Sequence, residues 1–247
     1  MEELVKTTLI GLFFGTFGTT LGGIIGIAFK SSSEKFLSFI LSLASGLMMA
    51  IVCFDLIPEA LKITSMSNTL LGILLGIIIM IFCNIIVEKK LKIKKSNVSS
   101  INTMLKTGII VSLGLAIHNF PEGLAIGSGM DASVKLGISL AVAICLHDIP
   151  EGISMAVPMK AGGVSKTKII IYIILSGITT GVGAFFGAVL GRVSSAVIGI
   201  CLSFAAGAML YIVSGELIPE ANNLYRGKTT ALGNILGLIL GIFATIV

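Results

Sequence analysis

Apolar stretches of about 20 residues follow one another along almost the whole chain, and they dictate its fold class. They fall at approximately 5–29, 36–58, 68–88, 104–128, 135–157, 168–190, 196–219 and 230–247. The punctuation between them is short: Lys30 to Lys35, Lys62 to Ser67, Lys89 to Asn102, Met130 to Val134, Met159 to Thr167, Gly191 to Ser195, and Asn222 to Thr229. Backbone polar groups find no water inside hydrocarbon, so segments that cross it must be helices or a closed barrel. Runs this long predict helices. The expectation is an all-α integral membrane protein: eight transmembrane helices in one domain over residues 1–247.

Composition excludes the alternatives. With 55% hydrophobic and 12% charged residues and a mean hydropathy of +1.08, the chain cannot clothe a soluble domain. Its net charge of +5 does not indicate nucleic acid, because the basic residues sit in loops. Only Lys89 to Asn102 resembles a flexible linker; it is rich in Lys and Ser and contains no His. Glu2 and Glu3 lead into the apolar run from Leu4 without the basic start of a cleaved signal peptide, so this run reads as the first span of the mature protein. Cys53, Cys83, Cys145 and Cys201 all lie in apolar runs and form no CxxC, so they read as small buried hydrophobes.

Sidedness follows from the basic residues. An even span count puts both termini on one side. Loops on the opposite side carry Lys30, Lys35, Lys89, Lys90, Lys92, Lys94, Lys95, Lys160, Lys166, Lys168, Arg226 and Lys228, against Lys6, Lys62, Lys135 and Arg192 on the terminal side. That distribution predicts both termini outside the cytoplasmic membrane.

Residues 44–60, ASGLMMAIVCFDLIPEA, align without gaps to residues 205–221, AAGAMLYIVSGELIPEA, with ten of 17 positions identical at an offset of 161. The same offset pairs Thr19, Gly22 and Gly26 with Thr180, Gly183 and Gly187, and Gly72 and Gly76 with Gly233 and Gly237. Spans 1–3 therefore repeat as spans 6–8. Their starts are five spans apart, an odd number, so the repeats insert in opposite orientations around spans 4 and 5, as in transporters with a midplane site. The glycine pairs predict close helix seams that would permit sliding.

The only two histidines head two copies of one hexapeptide, His118-Asn119-Phe120-Pro121-Glu122-Gly123 and His147-Asp148-Ile149-Pro150-Glu151-Gly152. In a helix each His shares a face with the Glu one turn later, and Asn119 and Asp148 flank that face. Ionisable groups at bilayer depth mark functional sites. Facing helices would offer two imidazoles, three carboxylates and an amide, a donor set suited to Zn²⁺, Fe²⁺, Mn²⁺, Co²⁺ or Cd²⁺ and poorly suited to Mg²⁺ or Ca²⁺. Pro121 and Pro150 each free a backbone carbonyl, of Ile117 and Leu146. The repeat adds Asp55 and Glu216 at equivalent positions, followed one turn later by Glu59 and Glu220, as pathway acids. Glu122, Asp148, Glu151 and Glu216 together carry four negative charges when ionised, which two divalent ions, or one ion with protons, would balance.

HNFPEG in span 4 and HDIPEG in span 5, with eight spans and outward termini, resemble the ZIP family of zinc- and iron-regulated transporter-like proteins. The resemblance covers essentially the whole chain. It implies uptake of divalent transition metals, Zn²⁺ or Fe²⁺, toward the cytoplasm through a midplane site, often binuclear. Carried over, the ligands would be His118, Asn119, Glu122, His147, Asp148 and Glu151, with Glu216 completing a second position. It also implies a unit of spans 1, 4, 5 and 6 moving against spans 2, 3, 7 and 8. Many members carry a His-rich loop between spans 3 and 4, where this chain is Lys-rich, and some have Gln at the position of His147. No prosthetic group is expected, and the partners expected are metal ions and lipid, with a homodimer as candidate assembly and no nucleic acid. The competing class, a membrane-embedded metal-dependent hydrolase, lacks HExxH and a nucleophile elbow and leaves the repeat unexplained.

Overall fold

A computed structural model describes residues 1–29, 33–92 and 100–246. Among them the chain is helical, with turns and bends between helices and no strand. The elements are α1 (Glu2–Ala28), α2 (Glu34–Ala50), α3 (Ile57–Ile63), α4 (Met66–Lys92), α5 (Ser100–Ala132), α6 (Val134–Ala161), α7 (Lys166–Gly191), α8 (Ser195–Ile212), α9 (Ile218–Leu224) and α10 (Lys228–Ile246). Short π-helical segments, Ile51–Leu56 and Val213–Leu217, join α2 to α3 and α8 to α9. Each pair thus forms one continuous rod, and the described residues make eight rods.

Among the described residues, six rods are long and apolar enough to cross a membrane: Glu2–Ala28, Glu34–Ile63, Met66–Ile86, Val134–Ala161, Lys166–Gly191 and Ser195–Leu224. Helix α10 contributes a shorter apolar stretch, Lys228–Ala244. The rods overrun the apolar windows because polar residues at their ends continue the helix. Lys89–Lys92, expected within a flexible linker, prolong α4; residues 93–99 of that linker lie outside the described residues. Residues 30–32 of the first loop and the terminal Val247 also lie outside them.

Among the described residues, serines precede five of the helices, including α2, α6 and α8. Ser33, Ser133 and Ser194 are N-caps whose side chains accept from the backbone N–H groups of Phe36, Leu136 and Val197, each satisfying one otherwise orphaned donor. Ser133 is also the single non-helical residue between α5 and α6. The hairpin it makes sets Gly129 against Gly137 and Leu140, and the same antiparallel register brings Glu122 opposite His147. The two hexapeptides therefore meet because one serine turns the chain.

The rods sort into two bundles. One holds α1, α5, α6 and α7; the other holds α2–α3, α4, α8–α9 and α10. The glycine pairs identified from the repeat build them symmetrically. Gly22 and Gly26 bring α1 onto Ile149 and Ala156 of α6, and Gly183 and Gly187 bring α7 onto Phe120 and Leu124 of α5. In the second bundle Gly72 and Gly76 seat α4 on Ser203 and Phe204 of α8, and Gly233 and Gly237 seat α10 on Phe39 and Leu43 of α2. Every close backbone approach among the described glycines lies inside one bundle or the other. These are the close helix seams expected of the glycine pairs: with no Cβ to separate them, the backbones interlock, so the glycines clamp each bundle together.

The bundles meet where α5 lies against α8 and α6 against α2. Bulky apolar side chains fill this junction, with Met48, Ile51, Ile126, Leu140, Ile144 and Met209 all fully buried. The outer faces are apolar as well; Leu70, Leu74, Ile78 and Phe82 of α4 are exposed to what would be lipid. Of the cysteines, Cys145 and Cys201 are buried as expected, whereas Cys53 is exposed and Cys83 half-buried on these outer faces. Lys160 closes the α1–α6 seam at the C-terminal end of both helices, its Nζ donating to the carbonyls of Ile27 (2.6 Å) and Phe29 (2.7 Å).

The clamp makes a stability prediction. A Cβ at Gly237 would collide with the Leu43 carbonyl, whereas at Gly215 it would meet nothing closer than the Tyr211 ring at 3.6 Å. Gly237→Ala should destabilise the detergent-solubilised protein by about 1–3 kcal/mol, seen as a lowered Tm, while Gly215→Ala leaves Tm unchanged or raised. Equal behaviour of the two variants would contradict the clamp.

Candidate metal centre

Pro121 and Pro150 sit inside unbroken helices α5 and α6. The helical pitch carries His118 and Glu122 to one face of α5, and His147 and Glu151 to one face of α6. Asn119, Glu122, His147 and Asp148 are fully enclosed (0% exposed), Glu151 is 1% exposed and His118 is 7% exposed.

Glu122, His147 and Glu151 each offer a ligand atom within 4.8 Å of the others. His147 is oriented at both ring nitrogens. Its Nδ1 lies 3.3 Å from the Ala143 carbonyl and its Nε2 lies 2.9 Å from Glu122 Oε1. A proton on Nδ1, held by the carbonyl, turns Nε2 toward the carboxylates, the arrangement a metal-facing imidazole takes. Asp148 Oδ1 stands 3.5 Å from the same Nε2. Asn119 donates its amide to the Ser176 carbonyl at 3.1 Å, which pins the side chain to α7 and leaves Oδ1 as its unengaged atom.

Six buried oxygens in this cluster have no hydrogen-bond partner: Asn119 Oδ1, Glu122 Oε2, Asp148 Oδ1 and Oδ2, and Glu151 Oε1 and Oε2. Among the described residues no lysine or arginine pairs with Glu122, Asp148 or Glu151. Buried carboxylates without donors are strongly disfavoured unless a cation or protons satisfy them.

The remaining sequence-predicted residues divide. His118 Nε2 lies 3.8 Å from Glu216 Oε2, so α5 and the π segment before α9 meet here across the junction between bundles. The tight three-residue cluster includes neither of them. Asp55 lies in the other π segment, at the position the repeat matches to Glu216. Both π segments end at repeat-equivalent residues, Leu56 and Leu217, one residue before an Ile-Pro step. Widened turns of this kind recur at functional sites, and nothing in the apolar patterning announces them. Glu59 pairs with Lys62 at 2.9 Å and Glu220 is exposed; with Asp55, these two stand apart from the cluster.

Two residues near Glu216 escaped the sequence reading. Asn84 Nδ2 donates to Tyr211 Oη at 3.1 Å and to Glu216 Oε1 at 3.2 Å. The available signal was a lone amide in the otherwise apolar run of α4 from Leu70 to Val87.

The sequence model of the ZIP zinc transporter family matches residues 87–247, from the end of α4 to the last residue. The chain belongs to the ZIP family. Zinc transporter ZupT of Streptococcus mutans is 31% identical over 96% of this chain and 93% of its own. Zinc transporter ZupT of Campylobacter jejuni is 34% identical over 97% and 95% respectively. Zinc transporter GufA of Myxococcus xanthus is 38% identical over 56% of each chain. Membership places the protein among transporters and leaves the hydrolase alternative without support.

The pinning of Asn119 is testable by itself. Asn119→Asp keeps the shape, removes the donor to Ser176 and adds a buried acid; a loss of about 1–3 kcal/mol is expected from the unsatisfied group, read as a lowered Tm in metal-free buffer. An unchanged Tm would show that the amide carries no such bond.

Proposed function

We propose that the protein takes up divalent transition-metal ions, Zn²⁺ first among them, across the cytoplasmic membrane toward the cytoplasm. The observation that carries this reading is the set of six buried, unpartnered oxygens beside an oriented imidazole. Nitrogen and oxygen donors in this mixture suit Zn²⁺, Fe²⁺ and Mn²⁺, and the family and the named zinc transporters among its relatives favour zinc.

Glu122, His147 and Glu151 hold one ion. Asn119 Oδ1 and the Asp148 carboxylate, with the second oxygens of the glutamates, give a second position beside it. His118 and Glu216 form the next station toward the inner end of the pathway, and Asp55 with Glu59 receives ions at the outer end. Glu220 lies one turn beyond Glu216 on the exit side. All eight rods cross the bilayer, both termini lie outside, and the excess of basic residues stays on the cytoplasmic side.

His147 Nε2 and Glu122 Oε1 are close enough, at 2.9 Å, to share a proton when no metal is bound, and such a proton offsets part of the charge. A metal ion replaces that proton. Binding therefore releases protons and weakens as the medium is acidified. Calorimetry in two buffers of different ionisation heat should give different apparent binding heats; identical heats, with affinity flat across neutral pH, would contradict the exchange.

Transport is tested in liposomes carrying the purified protein and an external zinc tracer. Wild-type protein should accumulate zinc, while His147→Ala and Glu151→Ala fall to the rate of protein-free liposomes and still insert and fold. Near wild-type accumulation by either variant would remove the cluster from the pathway.

A further inference from the structure

The repeat makes Asp55 and Glu216 equivalent, yet the fold holds them differently. Asp55 Oδ2 is buried with no hydrogen-bond partner among the described residues. Glu216 is gripped: Asn84 lies 3.2 Å from its Oε1, while its Oε2 lies 3.8 Å from His118. One amide NH₂ carries two N–H groups, and Asn84 directs its nitrogen at both Glu216 and the Tyr211 hydroxyl. The repeat does not conserve this amide and hydroxyl, because the residues matching Asn84 and Tyr211 are Thr245 and Ala50. The brace is therefore not demanded by the shared fold. Nor does helix packing demand it, since Gly72 and Gly76 already seat α4 on α8. An amide placed in an apolar, lipid-facing helix is unfavourable without a partner.

Resting on the transport reading above, we propose that Asn84, seconded by Tyr211, is a positioning residue that fixes the Glu216 carboxylate with one oxygen toward His118, making Glu216 a stationary receiving group for metal leaving the cluster. Asn84, Tyr211 and Glu216 all belong to the second bundle, and His118 belongs to the first. Relative movement of the bundles thus changes the His118–Glu216 approach and leaves the brace intact. Asn84 acts as a donor to the carboxylate, so its contribution passes entirely through Glu216. A carboxylate free to rotate would meet the arriving ion in the correct orientation only part of the time, which slows transfer without altering the affinity of the buried cluster.

The experiment compares zinc uptake by reconstituted wild type, Asn84→Leu, Tyr211→Phe, Glu216→Gln and the Asn84→Leu/Glu216→Gln double variant. Leu suits a lipid-facing helix, and Phe keeps the ring. Asn84→Leu should lower the maximal rate about tenfold, the loss expected for a hydrogen bond to a charged group. Its KM for zinc, and the zinc affinity and stoichiometry of the purified variant, should stay at wild-type values. Tyr211→Phe should show a smaller loss of the same kind. The double variant should be no slower than Glu216→Gln alone. Wild-type rates in Asn84→Leu would overturn the proposal. So would losses that multiply in the double variant, or a fall in zinc affinity that tracks the rate. Uptake by wild type with Asn84→Leu unimpaired removes this proposal alone; absence of uptake by wild type removes the transport reading and this proposal with it.

Discussion

Six buried oxygens without donors set the terms for everything around them. Carboxylates enclosed in a helical membrane protein are tolerable only if something positive can join them. The surroundings of Glu122, Asp148 and Glu151 supply one imidazole and no lysine or arginine among the described residues. The enclosing shell has to be rigid for such a cluster to persist, because a loose one would let the carboxylates turn away or admit lipid.

Rigidity comes from glycine. Four repeat-related glycine pairs bring backbones together within each bundle, and the α5–α6 hairpin that carries the cluster is clamped on one side by α1 and on the other by α7. The junction between the bundles is different in kind, with large apolar side chains and no close backbone approach among the described glycines. Packing is thus of two kinds, backbone against backbone within each bundle and side chain against side chain between them. The His118–Glu216 contact lies on that junction, so it joins one bundle to the other.

Much of this was legible in the sequence. The apolar windows located the helices, and the offset of 161 paired the glycines that later proved to clamp equivalent seams. The hexapeptides named the residues of the cluster, since a His and a Glu four apart must share a face once the segment is helical. Three things stayed hidden. The partner of each glycine seam was not readable, because a small-residue pair shows that helices approach closely and not which helix they meet. The π segments holding Asp55 and Glu216 depend on a backbone register that apolar patterning does not encode. The Asn84–Tyr211–Glu216 grip joins residues more than 120 positions apart, and only the packing of α4 on α8 brings them together.

The most direct measurement is X-ray absorption at the zinc K-edge on the purified, zinc-loaded protein. The account predicts a first shell of nitrogen and oxygen at about 2.0–2.2 Å, with imidazole scattering that disappears in His147→Ala. Cys145 lies two residues from His147 and is buried, which makes the alternative concrete. A sulfur shell at about 2.3 Å, or a shell without imidazole in the wild-type protein, would contradict the central claim that the buried carboxylates and His147 hold the ion.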